Sequence, residues 1–234
     1  MLRLVFFFIV VLVVLQVSRT LLGGVPILGT LLDIPLLGFW IVAIALGATL
    51  SKLGANAIDR RKRSRLVAQL GAVDTPHNLG KLGSLYEGQG RHRQALPYLD
   101  RAVEGEPEVA EWHYRRGLAL GGLGQCRDAI DALQHALAID DKHAYGRTLM
   151  RLAEFQAKDG QHDRALESLE RFERNHGPQP ESAYRRGVSL KALGHRERSR
   201  AALDEVSQLA SESARYQKKA GSSWVLRAFI ARMG

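Results

Sequence analysis

LGSLYEGQGRHRQALPYLDRA, residues 82–102, decides the fold. Gly83 is followed by Gly90, Ala95 and Leu99, at steps of seven, five and four. The same steps return in Gly117, Gly124, Ala129 and Leu133, in Ala153, Gly160, Ala165 and Leu169, and in Gly187, Gly194, Ser199 and Leu203. The units recur after 34, 36 and 34 residues. Agreement at all sixteen positions is a structural period.

The period has a mechanical reading. The first small residue lies midway along one helix, where a partner helix crosses too closely for a large side chain. The following glycine ends that helix in a left-handed turn, which costs a residue without a Cβ nothing. The second small residue lies on the next helix and faces the first. The leucine one turn later fills the shared core. One such pair cannot bury its own apolar face, so pairs must stack.

This pattern resembles the tetratricopeptide repeat. Leu82-Gly83-Ser84-Leu85-Tyr86, then Ala95, Leu99, Ala102 and Pro107, match the family's first- and second-helix positions. The second unit keeps Gly117, Ala129, Leu133 and Ala136, with Leu120 in the tyrosine slot. The third has Phe172 where a small residue is usual, and the fourth, with Ser199 and Val206, is the most degenerate; both imply looser or shifted stacking. The expected repeats are 76–109, 110–143, 146–179 and 180–213 in an all-α solenoid. Asp74-Thr75-Pro76 supplies an N-terminal cap and a first-turn proline. Residues 214–234 are expected to close the array, with Ser222 or Ser223 capping a short helix that carries Trp224, Val225, Leu226, Phe229, Ile230 and Met233. That helix reads as a solenoid cap or as an amphipathic surface for membrane or partner.

The resemblance implies that the first helix of each repeat lines a concave groove that receives a protein or peptide. Its slots hold Tyr114-Arg115, Met150-Arg151 and Tyr184-Arg185, with Arg147 one turn before Arg151. Arginines hold carboxylates bidentately and tyrosines add contact area, which suits an acidic or carboxylate-terminated ligand. Glu111, Glu154 and Glu181 share that face, so the same arginines have acids within the chain as alternative partners. The chaperone-tail clamp of the family is incomplete: Arg147 and Arg151 match two slots, while Gly80, Ser84 and Arg115 depart from the others.

Ahead of the array, Leu4–Val17 (broken only by Gln16) and Ile34–Leu50 are apolar, with Gly23, Gly24, Pro26, Gly29 and Asp33 between them and Pro35 at the start of the second. Two spans at about 2–22 and 34–51 would form a membrane hairpin. A single span and a cleaved leader at 1–20 are the competing readings, though Val17-Ser18-Arg19-Thr20 lacks the small residues of a cleavage site. Lys52, Arg60, Arg61, Lys62, Arg63 and Arg65, in the linker 52–75, form a basic cluster that would touch anionic headgroups and keep the repeats cytoplasmic. The expectation is an integral inner-membrane protein.

Charge supports neither nucleic-acid binding nor catalysis. Of 33 Lys/Arg and 24 Asp/Glu, residues 66–234 hold 25 and 22, so the array nets +3 of the total +9. The eight histidines form no H-E-x-x-H or Cys/His set, and Cys126 is alone. No nucleophile motif is present. No enzyme, metal or cofactor is expected. The sequence reads as a membrane-anchored scaffold that recruits a partner protein. The other reading is an accessory subunit of a membrane enzyme or envelope-assembly complex, contacting it through the spans.

Overall fold

The computed structural model describes residues 47–52, 66–212 and 218–233. Residues 70–234 form one compact unit. It is built of helices: α1 (Pro76–Glu87), α2 (His92–Gly105), α3 (Ala110–Gly122), α4 (Cys126–Ile139), α5 (Arg147–Lys158), α6 (His162–His176), α7 (Pro180–Ala192), α8 (Arg196–Glu212) and α9 (Lys218–Met233). Helix α1 opens as its local sequence requires. Thr75 stays extended and its Oγ1 accepts from the Asn78 N–H at 3.3 Å, while Pro76 takes a first-turn site that needs no donor.

Consecutive helices form hairpins: α1 with α2, α3 with α4, α5 with α6, α7 with α8. Each turn contains one glycine at positive φ, between 73° and 82°, at Gly90, Gly124, Gly160 and Gly194. Inside each hairpin the small residue of the first helix meets the leucine of the second. A Cβ on Gly117 would lie 2.9 Å from Leu133 Cγ, and one on Gly187 2.7 Å from Leu203 Cγ. Leu99 and Leu133 are fully buried, and Leu169 and Leu203 nearly so. Each such leucine contributes about 1.5–3 kcal/mol by leaving water. The fourth hairpin replaces the facing alanine with Ser199, whose hydroxyl donates to Gly187 O at 2.8 Å, so the polar atom is satisfied at the crossing.

The two extra residues between the second and third units have a structural role. Residues 143–146 form a 3₁₀ turn in which Ala144 (φ 55°), Tyr145 (φ 51°) and Gly146 (φ 79°) are all left-handed. Gly146 lies against the ring of Phe172, where a Cβ would come 2.9 Å from Cδ2, and against His176 at 2.5 Å. Phe172, against which this turn packs, stays 3 % exposed in the core.

The first helices also touch one another along the stack, α1 with α3, α3 with α5, α5 with α7 and α7 with α9. Among the described residues no two second helices approach as closely, so the first helices line the inner side of the curve. Ser222 and Ser223, expected to cap the last helix, lie inside α9. Gly221 lies within it and faces α8, where a Cβ would come 3.1 Å from Ala210 Cβ.

The expectation of an integral inner-membrane protein is corrected. Among the described residues no helix is long and apolar enough to cross a membrane. The longest, α8, has 17 residues and carries Arg196, Glu197, Arg198, Arg200, Asp204 and Glu205 along its length. The expected spans at 2–22 and 34–51 fall outside the described residues except for 47–51, and so do Arg60, Arg61, Lys62, Arg63 and Arg65 of the basic cluster; Lys52 is exposed.

Candidate functional site

Arg115, Arg151 and Arg185 occupy one register, on α3, α5 and α7, and project from the face formed by the first helices. Each is held by carboxylates of that face. Arg115 Nε donates to Glu111 Oε1 at 2.6 Å, and its Nη1 reaches Glu87 Oε2 on α1 at 2.9 Å. Arg151 Nη1 donates to Glu154 Oε2 at 2.6 Å. Arg185 Nη2 bridges Glu181 at 2.7 Å on its own helix and Glu154 at 2.9 Å on α5. Lys158 Nζ adds a third cation to Glu154 at 2.7 Å.

Glu154 is the hub of this network. Burial alone would raise its pKa. The charge of Arg185 and donation from Lys158 and Arg151 together outweigh that and hold the carboxyl at about 2. For Arg115 and Arg151, burial disfavours the charge, but bonds to Glu111 and Glu87, and to Glu154, more than compensate and push both pKa values up. The network links α1 to α3 and α5 to α7. Between α3 and α5 the contact is apolar: the Phe155 ring lies over Gly121, where a Cβ would come 2.0 Å from Cζ.

Other residues expected to line the groove are placed differently. Tyr114 and Met150 are 4 % and 7 % exposed and belong to the core between the second and third hairpins. Burial raises the Tyr114 pKa, against the pull of Arg147, Arg151 and Arg115. Tyr184 is half-buried, its ring 5.4 Å from that of Trp224 on α9, with the Arg185 guanidinium 5.7 Å from the same indole. Arg147 is exposed and pairs with no carboxylate among the described residues. His143 Nε2 sits 3.0 Å from Glu111 Oε2, off the line of a hydrogen bond.

Residues 81–144 and 114–180 match the model of the tetratricopeptide repeat. The chain carries tetratricopeptide repeats. Solved structures with the same repeat packing include a crystal structure of MamA, with a TM-score of 0.55 and 20 % identity over 75 % of this chain and 93 % of that one. A second MamA structure gives 0.58 and 23 %, over 67 % and 91 %. MamA 41-end from Desulfovibrio magneticus RS-1 gives 0.55 and 20 %, over 69 % and 94 %. Likeness at this identity is likeness of fold. No curated protein matches the chain.

Within the tetratricopeptide array, sequence spacing found the arginines but missed Glu87 and Lys158, and it placed Trp224 on the closing helix without its contacts to Tyr184 and Arg185. The Glu154–Lys158 step of four was a readable helical pair. The contacts of Glu87 and Trp224 were not readable, because their partners lie in neighbouring hairpins. Among the described residues no group of His, Cys, Asp and Glu is placed to hold a metal ion.

Proposed function

We propose that this chain is a non-enzymatic protein-interaction scaffold, and that the face formed by its first helices receives a segment of a partner protein. The observation that carries this reading is the contrast among the four arginines. Arg115, Arg151 and Arg185 are neutralised within the face, so their role is to fix its shape. Arg147 stands free beside them at the N-terminus of α5. Bound acids compete poorly for a guanidinium already paired at 2.6 Å, so a partner carboxylate is directed to Arg147. Tyr184 and Trp224 give the same segment an aromatic platform.

The test is affinity capture from source-cell protein with the intact chain, comparing the native protein with Arg147→Glu. A partner retained by the first and lost by the second supports the reading. Equal capture by both moves binding off this face.

A further inference from the structure

Helix α9 is apolar on two sides. Trp224, Val225, Ala228 and Ala231 pack with Ala183, Leu203 and Val206 of α7 and α8. The opposite side presents Leu226, Phe229, Ile230 and Met233 at 57–70 % exposure. Their steps of three, four and seven make one continuous stripe. No other described helix shows such a stripe; elsewhere the large exposed apolar residues are scattered.

The place of α9 in the stack says what fits there. It packs on α8 and α7 as α3 packs on α2 and α1. It therefore stands as the first helix of a fifth unit, and its bare stripe faces where a second helix would lie. A terminal repeat that merely closed a solenoid would turn a polar face outward.

Charge narrows the occupant. Residues 218–233 contain no acid. At the C-terminal end of the stripe lies a cavity of about 400 Å³, lined by Lys191, Arg196, Arg200, Arg232, Leu203 and Met233. Arg196 and Arg200 are exposed and pair with no carboxylate among the described residues. A second α9 laid antiparallel would bring its own N-terminal turn, which holds Lys218 and Lys219 and no acid, over these cations. A helix running antiparallel to α9, as in every hairpin of the array, brings its N-terminal turn over the cavity. Acidic residues are favoured at helix N-termini by the helix dipole.

We propose that the outer face of α9 docks an amphipathic helix of another protein, with an acidic first turn seated over Lys191, Arg196 and Arg200. This surface is separate from the face containing Arg147.

The probe is a fluorescent synthetic helix of the 16-residue length of α9, with leucines at steps of three, four and seven and glutamates in its first turn. Anisotropy with the intact chain should show saturable binding. The doubles Phe229→Glu/Ile230→Glu and Arg196→Glu/Arg200→Glu should each weaken it about tenfold. Moving the glutamates to the last turn of the peptide should weaken it comparably. All four substituted side chains are exposed, so the melting temperature should not change. Absence of binding overturns the proposal, as does binding indifferent to both doubles. Two other results also overturn it. One is flotation with phosphatidylglycerol vesicles that depends on Phe229 and Ile230 without peptide binding, which assigns the stripe to a bilayer. The other is a dimer in sedimentation that Phe229→Glu/Ile230→Glu dissolves, which assigns it to a second copy.

Discussion

A Cβ on Gly83 would lie 2.6 Å from Leu99 Cγ, so α1 and α2 cross at a distance that only glycine permits. The contact is with the branch point of a fully buried leucine, which cannot swing away as a side-chain tip could.

Gly83→Ala therefore sets two effects against each other. Alanine gains about 1 kcal/mol of helix propensity. Overpacking at this crossing costs about 1–3 kcal/mol. We expect the clash to win and the thermal midpoint to fall. Gly83→Ala/Leu99→Ala should still be less stable than the native chain, but less so than the sum of the two single changes. Circular-dichroism melts measure all three.

Ala144 is the opposite case. Its φ of 55° is left-handed. That conformation costs an L-residue about 1–2 kcal/mol, while glycine gives back about 0.4–1 kcal/mol through a freer unfolded chain. Ala144→Gly should raise stability by about 0.5 kcal/mol, read as a higher urea midpoint with unchanged slope.

Glu154 predicts a pH dependence. Its carboxyl is held at about 2 in the folded chain, below the ordinary 4.5. The stabilisation is complete above the unfolded value and is lost as pH falls from about 4.5 towards about 2. The shift corresponds to roughly 3 kcal/mol at most. Glu154→Gln should lower the melting temperature at neutral pH and flatten its decline across that acid window.

Arg115 predicts a penalty from a stranded charge. Glu87, 11 % exposed, depends on it across two hairpins. Arg115→Ala should cost about 1–3 kcal/mol, and Arg115→Ala/Glu87→Gln should recover part of it. Arg147→Glu, at a site paired with no carboxylate, should leave the melt unchanged. Comparing the two variants separates the arginine that builds the face from the one available to a partner.

Leu99, Leu133, Leu169 and Leu203 and the glycines between them were legible because their constraint is local. A hairpin needs a small residue at its crossing and a glycine in its turn, and both fall within 17 residues of chain. The groove was legible only in part. Arg115, Arg151 and Arg185 came from repeat register, but Tyr114 and Met150 were expected at the surface and are buried, because stacking of successive hairpins covers them.

The sequence by itself determined the hairpins, since their period states which backbone crossings are sterically allowed. Tertiary structure alone decided which arginine is free, because Glu87 meets Arg115 at 28 residues' separation and Glu154 meets Arg185 at 31. It also decided which side of α9 remains bare. Composition shows a helix apolar on two sides, but only the position of the preceding pair selects the side that loses its water.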